Sequence, residues 1–141
     1  YVDSKLANRL GVWSRQIEEL YTPYIRPQEN GNRHEVRWVS LTDKRGIGIL
    51  VIGMPKIDFS AHMYSVENLE NAHHTYDLIK KDIIYLNVDY RQHGLGSASC
   101  GPDVLEQYKL YLEPFQFSVQ LNPYSKDQLS PIAASKVIKI K

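Results

Sequence analysis

The groups able to do chemistry in this chain are five histidines, one cysteine and a scatter of carboxylates. A pair of carboxylates on opposing elements can cleave a glycosidic bond, one as acid and one as nucleophile or base. Glu18, Glu19, Glu67 and Glu70 lie in polar segments with nothing to desolvate them, and read as solvated surface acids. Glu29, Glu35 and Asp89 are less easily dismissed, but they form no recognisable pair. Histidine pairs that hold a metal stand four apart on a helix or two apart on a strand. His34, His62, His73, His74 and His93 meet neither spacing, and adjacent His73 and His74 point in different directions. Cys100 and His93 share a glycine-rich loop, which admits a thiol nucleophile with a base beside it. A free cysteine is more often an inert packing residue. Gly94-Leu95-Gly96-Ser97 follows a strand, but no amphipathic helix opens after it and Pro102 comes too soon for a dinucleotide fingerprint. Trp13, Trp38 and the tyrosines offer either a sugar-stacking platform or, more commonly for aromatics in strands, core.

These groups need elements to hold them. Leu6 to Tyr24 reads as irregular structure with one helical turn. Glu29-Asn30-Gly31-Asn32 marks a turn, because Asn-Gly tolerates positive φ. His34 to Leu41 and Ile47 to Ile52 read as strands joined by a hairpin turn at Asp43-Lys44-Arg45-Gly46, the second ending at Gly53-Met54-Pro55-Lys56. Ile57 to Tyr64 alternates as a further strand, and Ser65 is placed to cap a short helix through Leu69 and Ala72. Asp82 to Tyr90, Gln107 to Leu112 and Phe115 to Leu121 follow as strands. Gln92 to Pro102 has no period and is a loop held between strands, where binding residues tend to lie. Asn122 to Ser135 reads as linker, and Val137 to Lys141 as a short strand or an end. Six or so closely spaced strands with turns between them predict an all-β protein, an antiparallel β-sandwich with short helical turns.

Composition narrows the function. The chain has 141 residues, with 17 Lys and Arg against 16 Asp and Glu, so its formal charge is 17 − 16 = +1. A dedicated nucleic-acid binder carries a basic excess, which is missing. No apolar run reaches the roughly 20 residues of a membrane-spanning helix. A single cysteine excludes an intrachain disulfide framework. Ten tyrosines suit strands better than a helical bundle.

Three stretches in order resemble one family. Tyr21-Thr22-Pro23-Tyr24-Ile25-Arg26-Pro27-Gln28-Glu29-Asn30-Gly31-Asn32-Arg33 is similar to a YTPYxxPxENGxR segment of the large microbial β-galactosidases, glycoside hydrolase family 2. Phe59-Ser60-Ala61 with Tyr64, Leu69 and His74-Thr75-Tyr76-Asp77-Leu78 resembles the next block. Tyr85-Leu86-Asn87-Val88-Asp89-Tyr90-Arg91-Gln92-His93-Gly94-Leu95-Gly96 resembles an LNIDxxQMGxGG block. The resemblance covers residues 1–121 and implies the C-terminal domain, or small chain, of such an enzyme. That domain is part of a galactose-mutarotase-like supersandwich. Tyr1-Val2-Asp3 resembles a segment inside the domain, so the chain is expected to be a fragment truncated at its N-terminal side, with 122–141 as linker and tail.

The resemblance further implies retaining hydrolysis of terminal β-galactosides such as lactose. The two catalytic glutamates, with magnesium and sodium, belong to a (β/α) barrel outside this chain. No catalytic residue, metal ligand or cofactor is expected here. The expected partners are that barrel, a galactoside and further copies of the whole enzyme, with no nucleic acid and no membrane, in the cytoplasm. The implied contribution is a loop walling the sugar pocket, with Cys100, Ser99 and His93 as substrate-binding residues. The best-known members of the family have DDSWSP where this chain has Ser97-Ala98-Ser99-Cys100-Gly101-Pro102, which resembles members with SCGP, so the resemblance implies that Cys100 stands at the position of a sugar-contacting Trp. The rival class is a free-standing carbohydrate-binding or structural sandwich, which would hold galactosides by itself.

Overall fold

Asp43 reverses the chain as its sequence predicts. Its carboxylate accepts from the backbone N–H groups of Arg45 at 2.9 Å and Ile47 at 3.0 Å, and Gly46 takes φ +80°. The Arg45 guanidinium also donates to it at 2.9 Å. The Ile47 N–H bond, more than the Arg45 side chain, holds the Asp43 carboxyl below the usual carboxylate range. This turn joins β1 (Arg33–Thr42) to β2 (Ile47–His62). Gly48 is required just past the turn, since a Cβ there would lie 1.8 Å from the Leu41 carbonyl oxygen.

The computed structural model describes residues 11–93 and 98–137. Among them the strands make one four-stranded sheet, with β1 and β3 (Tyr85–Asp89) flanking β2 and β4 (Val119–Ser125) also paired to β2. β4 runs antiparallel to the start of β2, from Ile47 opposite Ser125 to Gly53 opposite Val119. The protein is all-β in its described regular core. The short helices α1 (Val66–Asn71) and α2 (Pro131–Ala134), and single 3-10 turns at Ile17–Leu20, Thr75–Asp77 and Glu106–Tyr108, complete it. Ser65 caps α1 as expected, its hydroxyl accepting from Asn68 N–H at 3.1 Å.

Four sequence expectations need correction. Gly53 to Lys56 does not end a strand: β2 continues to His62, so Ile57 onward is no separate strand. A Cβ at Gly53 would lie 2.6 Å from the Lys56 carbonyl carbon, so the chain folds tightly on itself there without leaving the sheet. Gln107 to Leu112 is not a strand but a 3-10 turn and irregular chain. The last strand begins at Val119 and runs into the stretch read as linker, because Tyr124 is drawn into the core. Residues 130–135 are not linker either, since Ser130 caps α2 by accepting from Ala133 N–H at 3.2 Å. The expected strand or end at 137–141 lies almost wholly outside the described residues.

The chain divides into two compact units. One comprises residues up to Glu35 with Asp58–Val88, the other Val36–Ile57 with residues from Asp89 onward. In the second, Leu50, Ile52 and Tyr124 form the core, with Trp38 and Ala134 packed on it. The Tyr124 hydroxyl is spent within the same unit, donating to the Leu129 carbonyl at 3.0 Å. In the first, Asp58 is 2% exposed and serves as a hub. It accepts from Glu35 N–H at 2.9 Å, from His34 Nδ1 at 3.1 Å and from Asn32 Nδ2 at 3.4 Å. Glu35 sits at φ +54°, a left-handed conformation rare outside glycine, and its N–H bond to Asp58 stabilises it there.

The turn before β1 is fixed through Asn30 in the same unit. Its Oδ1 accepts from Thr22 N–H at 2.9 Å and its Nδ2 donates to the Gln28 carbonyl at 2.9 Å. Its backbone carbonyl accepts from His62 Nε2–H at 2.6 Å. Gly31 follows at φ +75°, with space for no Cβ, since one would meet the Leu20 carbonyl oxygen at 2.7 Å.

Candidate functional site

Three of the acids open to a catalytic reading accept from neighbouring amides or an ammonium. Glu18 accepts from Lys80 Nζ at 2.7 Å, which holds its carboxyl below the usual range. Glu29 accepts from Asn87 Nδ2 at 3.1 Å, and the same amide donates to Ser60 Oγ at 3.0 Å. Asp89 accepts from Gln92 Nε2 at 2.8 Å. Among the described residues, no three of His, Cys, Asp and Glu gather to hold a metal ion. Two shallow recesses lie in the first unit. One, of about 80 Å³, is bordered by Tyr21, His62, Tyr64 and the Lys80–Glu18 pair. The other, of about 240 Å³, runs between Arg26–Glu29 and Val66, Leu69 and Glu70.

The three residues expected to contact sugar all lie in the second unit and are all exposed. Ser99 and Cys100 occupy a turn closed by Ala98 N–H donating to the Pro102 carbonyl at 3.3 Å, with Ala98 at φ +63°. Cys100 is a free, exposed thiol. Among the described residues no hydrogen bond, ion pair or ring contact joins His93 to Ser99 or Cys100. His93 is instead tied to the far side of its loop: Leu110 N–H donates to His93 Nδ1 at 3.2 Å.

The segment that follows is braced by charge. Lys109 Nζ reaches Asp103 at 3.0 Å and Glu106 at 3.2 Å. Lys109, foremost through its bond, holds the Asp103 carboxyl low, and Asp103 in turn raises the Lys109 ammonium. The Tyr111 hydroxyl donates to Glu106, which raises the phenol. Beyond it, Tyr90 stacks on Phe115 at 4.9 Å between centroids and tilts against Phe117 at 5.8 Å. Sequence reasoning singled out His93 and its loop but not Lys109 and Leu110, which contact this region in the structure. A lysine that closely follows Asp103 and Glu106 is a legible signal for a brace. A backbone donor 17 residues away leaves no trace in sequence.

An antiparallel sheet with a few short helical turns, and no cluster of His, Cys, Asp and Glu for a metal among the described residues, defines the class: an all-β domain. The chain belongs to the family described as the beta galactosidase small chain, which it matches over residues 1–121. It is 38% identical over 96 residues to a beta-galactosidase of Priestia megaterium, covering 68% of this chain and 9% of that protein. It is 34% identical over 122 residues to the beta-galactosidase of Kluyveromyces lactis, covering 86% of this chain and 12% of that protein. With one from Actinobacillus pleuropneumoniae the identity is 30% over 121 residues, 86% of this chain and 12% of the relative. The chain thus spans about a tenth of the length of these relatives. No helix among the described residues is long and apolar enough to cross a membrane.

Proposed function

We propose that this chain is the C-terminal domain of a retaining β-galactosidase of glycoside hydrolase family 2, acting on terminal β-galactosides such as lactose. Its role is to wall the sugar pocket with His93, Ser99 and Cys100. The catalytic glutamates belong to the barrel portion of the enzyme, together with magnesium and sodium. The whole enzyme is a cytoplasmic homo-oligomer on this reading, and the sheet described above is one layer of a sandwich. The match to the small-chain family over residues 1–121 carries the reading. The commitment of Glu18, Glu29 and Asp89 to amide and ammonium partners supports it, because a general acid or nucleophile must be free to meet substrate.

The test is hydrolysis of o-nitrophenyl β-galactoside by this chain, by a barrel-containing β-galactosidase polypeptide ending before the region equivalent to Tyr1, and by the two mixed. Activity confined to the mixture is expected. Activity in this chain alone, or none in the mixture, overturns the reading. Galactoside binding by the chain alone, with a silent mixture, would favour a free-standing binding module.

Cys100 tests the pocket-wall role. A thiol has no π face, so the wall here is smaller and offers no ring for sugar to stack on. Cys100→Trp in the complete enzyme is expected to change KM, or the ratio of galactosyl transfer to hydrolysis, by about 2–10-fold, the worth of one stacking contact. If both stay unchanged, Cys100 does not face the sugar.

A further inference from the structure

We infer that His93 is a double-ended residue, with Nδ1 clasping the base of the loop and Nε2–H donating to a hydroxyl of the bound galactoside. The argument begins with the bond from Leu110. A backbone N–H can only donate, so His93 Nδ1 must accept and carries no proton in this arrangement. Neutral imidazole holds one ring proton, which therefore sits on Nε2. The partner of one ring nitrogen thus decides what the other offers, as the hydrogen bond on the free nitrogen of a metal-bound histidine fixes its tautomer. Among the described residues Nε2 has no protein partner, and the side chain is exposed.

The clasp is supported from the Leu110 side. Lys109, the adjacent residue, is pinned by Asp103 and Glu106, and Tyr111 by Glu106. Leu110 therefore presents its N–H from a braced segment, and His93 is held by it across 17 residues. A donor fixed in this way loses little rotational freedom on binding, which favours contact with a sugar hydroxyl over a mobile lysine. The ligand class follows from the nitrogen: a neutral hydroxyl oxygen able to accept, as every galactoside carries. This inference rests on the pocket-wall reading, which supplies the sugar.

The experiment compares His93→Met and His93→Gln with wild type in the complete enzyme. Methionine offers neither end. Glutamine offers a carbonyl oxygen for Leu110 and an N–H₂ for the ligand. Two readouts are taken: KM and kcat for o-nitrophenyl β-galactoside, and the rate of subtilisin cleavage between Ala98 and Tyr108. His93→Met is expected to raise KM about 5–10-fold with kcat changed much less, the loss of one neutral hydrogen bond in the ground and transition states alike. It should also speed cleavage severalfold, while His93→Gln, which keeps an acceptor and a donor, should fall between His93→Met and wild type in both. Faster cleavage with unchanged KM overturns the donor role, and raised KM with unchanged cleavage overturns the clasp. If His93→Gln behaves as His93→Met, the paired-nitrogen account fails. A wild-type enzyme without β-galactosidase activity overturns the pocket-wall reading and the donor role with it, and cleavage then decides the clasp alone.

Discussion

Asp58→Ala is expected to lower the stability of the chain by about 3 kcal/mol, because it strips the acceptor from several donors at once. Glu35 N–H and the His34 ring bond to Asp58 at 2.9 and 3.1 Å, and Asn32 reaches it at 3.4 Å, around a carboxylate 2% exposed. Alanine leaves the Glu35 N–H facing a shielded gap, while the half-exposed His34 ring can turn to water. The largest share falls on Glu35, whose left-handed backbone has lost the bond that favours it. Asp58→Asn is the informative control. Its amide oxygen can still take the Glu35 N–H, so about half the loss should be recovered. Urea denaturation followed by far-UV circular dichroism measures both, through a shift of midpoint at constant slope. If Asp58→Ala comes within about 0.5 kcal/mol of wild type, as a surface substitution would, the hub is not holding this turn.

Leu50→Ala is expected to cost about 3 kcal/mol in the other unit, by a different route. Leu50 is 1% exposed and packs with Ile52 and Tyr124, with Trp38 and Ala134 covering them. Removing its terminal carbons forfeits their transfer from water and leaves a void that this small cluster cannot close without moving β4. Leu50→Met conserves volume and should cost less than about 1.5 kcal/mol. Thermal melts of the pair give the comparison. Equal melting temperatures for the two variants would show that the cluster collapses around the gap, and that packing shape at Leu50 does not matter.

The parts of the fold legible in the sequence were those set by local chemistry. Asp43 with Gly46 specifies a hairpin turn, and Ser65 before Val66 specifies a helix start, because each bond needed lies within four residues. The errors came where distant packing outweighs local signals. Met54-Pro55 looks like punctuation, yet Met54 N–H donates to the Ser118 carbonyl at 3.2 Å and the strand goes on. Asn122-Pro123-Tyr124-Ser125 looks like a turn, yet Pro123 sits opposite Ile49 in the ladder and Tyr124 is 7% exposed. Conversely, Gln107 to Leu112 has strand-like residues, but Lys109 is claimed by two acids and its neighbours remain irregular. For the site, composition pointed to the loop and resemblance pointed to His93, Ser99 and Cys100. What His93 bonds to was invisible, because its partner is a main-chain N–H that any non-proline residue at 110 would supply.

The Asn30-Gly31 pair carries a consequence for chemical ageing. Asparagine before glycine is prone to deamidate, because the unhindered glycine nitrogen can attack the side-chain carbonyl carbon and close a succinimide ring. That attack requires the asparagine side chain to swing back over its own C-terminal peptide. In the folded chain the amide is held at both ends, by Thr22 and by Gln28, while His62 grips the Asn30 main-chain carbonyl. The fold therefore shields a bond that the sequence leaves fragile. Isoaspartate at position 30 becomes a record of time spent unfolded. Its formation would put a longer, kinked backbone where Gly31 already has no room to shift against Leu20.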